Sequence, residues 1–174
     1  MSDLSTYIIP LKSIESYSTR YDYELREPFF SQVLSEEDDI KGGKLRASVT
    51  VKKLSHSFEL SFELVGKVSV LCDRCLDEMD IKITTSPVLV VKYGEEHVDV
   101  DEELVVIPEK EGTINIAWYF YEYMVLALPM QHIHPKGKCN KEMEANLEKY
   151  STKEIAKEEN MIDPRWEALK NIQN

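Results

Sequence analysis

Strict alternation of apolar and polar residues in two neighbouring stretches constrains the fold of this chain more than any other feature. In KLRASVTVK, which begins at Lys44, every second residue from Leu45 to Val51 is apolar and the residues between them are polar. FELSFEL, which begins at Phe58, alternates in the same way after the polar stretch LSHS. Because strand side chains point alternately to opposite faces, each stretch predicts a strand with one buried and one solvated face.

Further strands are predicted on both sides of the first cysteine. KVSVLC extends the second stretch to Cys72, DIKITTSPVLVVKY is typical of a strand interrupted at Pro87, and ELVVIP predicts one more. YIIPL near the N-terminus suits an edge strand, and PFFSQVL suits one or two helical turns. SEEDDIKGG predicts a loop, and Gly66 predicts a bulge or bend. Short turns between successive strands favour an antiparallel sheet.

One long helix is predicted in NIAWYFYEYMVLALP, residues 115–129. Asn115 can cap its first turn, and Pro129 ends it because the residue before a proline avoids the helical conformation. The segment is apolar almost all round, so we expect it to pack on the sheet. The predicted fold class is therefore α+β, a single antiparallel β-rich domain with one packed helix after the sheet.

The composition changes after Cys139, where a polar, helix-permissive segment begins. We therefore predict a β-rich domain over residues 1–139 and a polar helical tail over residues 140–174. DPRWEALKNI predicts a short C-terminal helix, with Pro164 at its first position. Trp166 and Leu169 lie on adjacent turns of this helix and are predicted to contact an apolar surface of the domain or of a partner.

The charge distribution limits the classes of partner. The net charge of -11 argues against non-specific binding of nucleic acid and suits a basic protein. Between Glu95 and Glu111 acidic residues outnumber basic ones by seven, so this run is a candidate contact for a basic protein. Between residues 41 and 67 basic residues outnumber acidic ones by four. Lys44, Arg46 and Lys52 share one face of the predicted strand, which is either a solvated face or an RNA contact.

The cysteines form the main candidate site. Cys72 and Cys75 have the C-x-x-C spacing, and His134 and Cys139 are separated by four residues that include a proline and a glycine. Three thiolates and one imidazole, with His132 as an alternative to His134, are a ligand set for a closed tetrahedral zinc site that would staple two loops. Two alternatives to zinc binding remain: the cysteines are reduced thiols in turns with no chemical role, or Cys72 and Cys75 form a redox pair. A redox C-x-x-C normally opens a helix, whereas this pair follows a strand among acidic residues that are expected to raise the thiol pKa.

Several classes of function are disfavoured by what the sequence lacks. The N-terminus has no signal-peptide pattern, and the long weakly charged stretch over residues 112–135 contains Gly112 and Pro129, so no membrane span is expected. The odd number of cysteines does not suggest a disulfide framework, and a cytoplasmic location is predicted. No phosphate-binding glycine loop or nucleophile motif occurs, so neither an enzyme nor a small-molecule substrate is predicted.

The combination of C-x-R-C-L, a helix ending in LALP, H-x4-C and DPRWEALKNI resembles the YceD family of large ribosomal RNA subunit accumulation proteins. Cys72, Cys75, His134 and Cys139 match the cysteine and histidine positions of the family. Asn115 stands where the family often has aspartate, and only Cys139 follows the helix where many members have more cysteines.

The resemblance implies a non-enzymatic factor that supports accumulation or processing of large-subunit ribosomal RNA by binding this RNA, its precursor or a ribosomal protein. A zinc-stapled protein-interaction module without RNA binding and, third, a thiol redox protein are the alternatives. A salt-dependent RNA affinity distinguishes the first two, and the pKa of Cys72 tests the third.

Overall fold

A computed structural model describes residues 4–35, 37–101 and 103–151. The chain divides into two compact units, Met1–Cys139 and Asn140–Asn174. The described residues of the first unit form two sheets and two helices, and the described part of the second unit contains one helix. The segment DPRWEALKNI, with Trp166 and Leu169, lies outside the described residues.

The first unit is rich in β-structure, as the alternation predicts. Its strands are β1 (Ile8–Pro10), β2 (Ser18–Leu25), β3 (Ile40–Lys53), β4 (Ser57–Leu71), β5 (Glu78–Thr85), β6 (Val88–Gly94), β7 (Val98–Asp101), β8 (Leu104–Pro108) and β9 (Thr113–Asn115). Its helices are α1 (Glu27–Val33) and α2 (Ala117–Leu126), and short 3-10 turns span Leu4–Tyr7 and Leu11–Ser13. The predicted α+β class is confirmed.

Seven strands form one sheet in the order β2-β3-β4-β6-β8-β7, and β5 also pairs with β4. β5 and β6 follow one another along the same edge of β4 and are separated at Pro87, which confirms the predicted interruption. The Phe62 N–H donates to the Pro87 carbonyl at 2.9 Å, so this edge of β4 stays bonded across the gap. The sheet is antiparallel except for the parallel pair of β6 and β8, and β1 pairs with β9 in a separate two-stranded sheet.

Two local predictions about glycines are wrong. β3 begins at Ile40, so Gly42 and Gly43 belong to a strand and do not close a loop. The register of β3 against β4 shifts between Ile40 and Gly42, whereas Gly66 pairs regularly with Leu45. A Cβ atom at Gly66 would lie 2.4 Å from the Lys44 carbonyl oxygen, so this glycine allows β3 and β4 to approach closely and forms no bulge.

The helix α2 covers the inner face of the large sheet. The N-cap position of α2 is Ile116, whose side chain forms no capping hydrogen bond, so the prediction that Asn115 caps the helix is wrong by one residue. The Asn115 side chain still accepts a hydrogen bond from the Ala117 N–H at 3.0 Å and so satisfies one N–H of the first turn. Phe120 is fully buried, and its ring centre lies 5.5–6.4 Å from the rings of Tyr7, Tyr23, Phe29 and Phe62. This aromatic cluster joins α2, α1 and the sheet. The opposite side of α2 exposes Trp118 and Leu126.

The second unit is described by the helix α3 (Lys141–Tyr150). The Asn140 side chain caps it by accepting from the Glu142 N–H at 3.1 Å. Among the described residues, no helix combines the length and the apolar character needed to cross a membrane.

Candidate metal centre

Four side chains with metal-binding atoms meet beyond the C-terminal end of β4. The ligand atoms of Cys72, Cys75, His134 and Cys139 all lie within 4.8 Å of one another. The Sγ atoms of Cys72 and Cys139 are 4.0 Å apart, and the Sγ atom of Cys75 is 3.3 Å from Nδ1 of His134. All three cysteines are free thiols. These four residues are therefore close enough to hold one metal ion.

The loop between β4 and β5 contains the first two residues of the cluster, Cys72 and Cys75. The Cys72 N–H donates to the Asp77 carbonyl and the Leu76 N–H donates to the Cys72 carbonyl, both at 2.9 Å. Leu76 closes the turn with a φ of 60°, the left-handed conformation that residues with a side chain seldom adopt. The turn is tight enough to direct the sulfurs of Cys72 and Cys75 towards one point.

The segment after α2 contains the other two residues of the cluster, His134 and Cys139, on either side of a second turn. The Lys138 N–H donates to the Pro135 carbonyl at 3.0 Å. Gly137 has a φ of 79°, which favours glycine. The proline and glycine of the H-x4-C spacing therefore reverse the chain and bring Cys139 back to His134.

Asp73 and His132 join the two loops by a pair of hydrogen bonds, which we call the Asp73–His132 strap. The Asp73 N–H donates to the His132 carbonyl at 2.7 Å, and the His132 N–H donates to Oδ2 of Asp73 at 2.6 Å. The His132 ring lies beside the same carboxylate, with Nδ1 4.0 Å from Oδ1. His134, and not His132, therefore brings its imidazole into the cluster.

The thiols of the cluster differ in acidity. Cys72, Cys75 and Cys139 are 0%, 3% and 8% exposed. Burial raises the pKa of Cys72, but hydrogen bonds from the backbone at Cys75, His134 and Arg74 outweigh it and lower the pKa to about 6. Burial and the neighbouring thiols raise the pKa of Cys139 to about 11. The expectation that acidic neighbours would raise the pKa is therefore wrong for Cys72, because hydrogen bonds from the backbone to its sulfur lower the pKa.

The residues predicted to contact RNA lie on the solvated face of the large sheet. Lys44 and Arg46 are exposed on β3 and form no ion pair with any described residue. Lys52 pairs with Glu59 on β4, with Nζ 2.8 Å from Oε1. The acidic run from Glu95 to Glu111 covers β7 and β8, and β7 is the last strand in the order of the large sheet.

The fold and the cluster define an α+β protein in which three thiols and one imidazole meet between a β-hairpin and the segment after a helix, close enough to hold a metal ion. The profile of the family described as "Large ribosomal RNA subunit accumulation protein YceD" matches residues 60–173, and the chain belongs to this family. The matched segment contains all four ligand residues, and the resemblance seen in the sequence is confirmed. Neither the curated proteins nor the solved structures contain a significant match.

Proposed function

We propose that this protein is a non-enzymatic ribosome-biogenesis factor that supports accumulation or processing of large-subunit ribosomal RNA. Family membership over residues 60–173 is the observation that carries this proposal, because the family is described by its part in accumulation of the large ribosomal RNA subunit. The protein acts by binding the RNA, its precursor or a ribosomal protein.

The cluster is proposed to hold a zinc ion. Three thiols and one imidazole, with no carboxylate among them, are a donor set that zinc prefers. Ligand atoms around a tetrahedral zinc ion lie about 3.4–3.8 Å apart, and the two separations of 4.0 and 3.3 Å are close to this spacing. When bound, the ion supplies structural stabilisation, because it ties the β4–β5 loop to the segment after α2.

Burial of the thiols supports a structural role over a redox role. A nucleophilic cysteine needs access for its substrate, whereas Cys72 is fully buried despite its low pKa. A low thiol pKa also favours metal binding, since the thiolate is the form that binds. Four protein donors would leave no open position for a substrate on the metal.

Two surfaces are proposed to bind partners. Lys44, Arg46 and Lys52 on the solvated face of β3 would contact RNA, while the acidic run from Glu95 to Glu111 would contact a basic ribosomal protein. The tail would add contacts through Trp166 and Leu169.

The net charge of -11 favours a second candidate, a zinc-stapled protein-interaction module that does not bind RNA. Its affinity for RNA would be weak at every salt concentration. An RNA-binding factor instead loses affinity steadily as salt rises, because phosphate contacts release counterions. Measuring RNA affinity against salt concentration decides between the two candidates.

Cells that lack this protein are expected to contain fewer large ribosomal subunits relative to small ones, or to accumulate precursors of large-subunit RNA. Sucrose-gradient profiles and analysis of the RNA ends measure both results. The deletion strain complemented with an intact copy of the gene should show neither defect. Normal profiles in the deletion strain, during rapid growth and after cold stress, would contradict the proposed function.

Removing the Asp73 carboxylate is expected to weaken metal binding without removing a ligand. Asp73→Ala deletes the acceptor of the His132 N–H, so the two loops hold the ligands less firmly and zinc affinity falls about 10–100-fold. Asp77→Ala in the same loop is the matched control, because only the backbone carbonyl of Asp77 takes part in the turn. Competition with a chromophoric chelator measures both affinities. Equal affinities for the two variants would show that the strap does not position the ligands.

A further inference from the structure

Three lysines lie directly opposite one another on three adjacent strands of the large sheet. Lys44 of β3 pairs with Lys67 of β4, and Lys67 pairs with Lys82 of β5. All three side chains are exposed on the face of the sheet opposite to the core. Because neighbouring strands are about 4.8 Å apart, this lysine row crosses about 10 Å of surface at right angles to the strands.

The positions around the lysine row carry both signs of charge, and the carboxylates among them, Glu24 and Asp80, are already paired with basic side chains. On one side of the row Arg46 pairs with Val65, which lies opposite Thr84, so these outward-facing positions carry no carboxylate, whereas on the other side Ser69 lies opposite Asp80. The Lys67 Nζ lies 3.5 Å from a carboxylate oxygen of Asp80. Both side chains of this ion pair are more than half exposed. Glu24, opposite Arg46, is held in an ion pair by Arg26. The described residues give Lys44, Arg46 and Lys82 no ion-pair partner.

Like charges directly opposite each other destabilise a sheet, and an exposed ion pair offsets little of this repulsion. Gly66 lies beside the lysine row and allows β3 and β4 to approach closely there, so the like charges stay near one another. Next to the row lies a depression of about 390 Å³, whose charged lining residues are Lys44, Arg46, Arg26 and Glu24. A partner with closely spaced negative charges would neutralise the lysine row and fit beside it.

We propose that the lysine row, together with Arg46, binds the sugar-phosphate backbone of RNA across the strands. This inference rests on the proposed RNA-binding function and locates its surface. It differs in direction from a contact running along β3 to Lys52, which lies at the far end of that strand and is held by Glu59 at 2.8 Å, a closer ion pair than the 3.5 Å between Lys67 and Asp80. Phosphate contacts of this kind position RNA and read no base sequence, so the affinity depends on salt more than on sequence.

Lys82→Gln and Lys92→Gln provide a matched test. Each variant removes one exposed lysine from the outward face of the same sheet, but Lys92 pairs with Ser57, ten residues along β4 from Lys67. The probe is a fluorescent single-stranded RNA of about 16 nucleotides, titrated at several salt concentrations. We expect Lys82→Gln to reduce the slope of log affinity against log salt by about 0.7, the value of one phosphate contact, and Lys92→Gln to leave the slope unchanged.

Thermal unfolding of the free protein gives an independent readout. Lys82→Gln is expected to raise Tm by about 1–3 °C at low salt, because it removes a repulsive neighbour of Lys67. The increase should vanish at about 1 M salt, where exposed charges are screened. If Lys82 had only a structural role and did not contact RNA, Lys82→Gln would not show both a higher Tm and a weaker affinity for RNA.

The possible outcomes separate the inference from the proposed function. If the wild-type protein binds the RNA and both variants weaken binding equally, the lysine row is not the contact surface, although the RNA-binding function stands. If the wild-type protein shows no salt-dependent affinity, both the RNA-binding function and the lysine row are overturned. A lower Tm for Lys82→Gln at low salt would overturn the premise of repulsion, and the inference with it.

Discussion

Replacing Cys75 with serine is expected to abolish zinc binding and to lower the Tm of the protein by about 10 °C or more. The Cys75 sulfur lies 3.3 Å from Nδ1 of His134, at the centre of the ligand set. Its loss leaves two thiols and one imidazole in a buried position. Because the metal site exists only in the folded state, the binding energy of the ion contributes directly to folding. Elemental analysis of protein purified without chelator, combined with thermal unfolding, measures both effects.

The two histidines provide the control for this prediction. His134→Asn should lose the zinc ion, whereas His132→Asn should keep it, since the His132 ring lies against Asp73 outside the ligand set. Treating the wild-type protein with a strong chelator should lower its Tm to a value near that of Cys75→Ser. Zinc retained by Cys75→Ser, or an unchanged Tm after chelation, would contradict the proposed metal centre.

Phe120→Ala is expected to destabilise the protein by about 3–5 kcal/mol. The Phe120 ring is fully buried among four other aromatic rings that belong to α1, the sheet and the N-terminal segment. Removing it leaves a cavity that those rings can fill only by changing their rotamers. Urea unfolding followed by circular dichroism gives the change in the free energy of unfolding.

Trp118→Ala on the same helix is the control for the loss of an aromatic ring. Trp118 is 55% exposed and contacts Tyr121 at a ring separation of 5.1 Å, so we expect a cost of about 1 kcal/mol. Similar costs for the two variants would show that α2 does not pack on the sheet through Phe120.

Strands in which apolar and polar residues alternate strictly were predictable from the sequence. Strands with a weak pattern, and pairings between strands that are distant in sequence, were not. The apolar positions of KLRASVTVK and FELSFEL identify β3 and β4 because each strand buries one whole face. β2, in contrast, alternates tyrosines with Arg20, Asp22 and Glu24, and its tyrosines are only partly buried, so its pattern is weak. The parallel pairing of β6 with β8 depends on a crossover that no local pattern encodes.

The candidate site also has features that the sequence predicts and features that depend on the fold. The spacings of Cys72 to Cys75 and of His134 to Cys139 are local, so the sequence predicted the residues that the fold brings together. The Asp73–His132 strap and the lysine row depend on how separate segments align in space, and neither has a sequence signature. The low pKa of Cys72 arises from backbone donors, which composition does not reveal.

The position of the cluster at the end of the β4–β5 hairpin affects more than local stability. A slip of one residue in the pairing of β4 with β5 would turn every outward side chain of the slipping strand towards the core. A metal ion that holds Cys72 and Cys75 in the hairpin loop, and ties that loop to His134 and Cys139, would prevent such a slip. The ion would thus fix the pairing register of β4 and β5. In this way it would keep Lys67 and Lys82, which lie away from the metal, on the solvated face of the sheet.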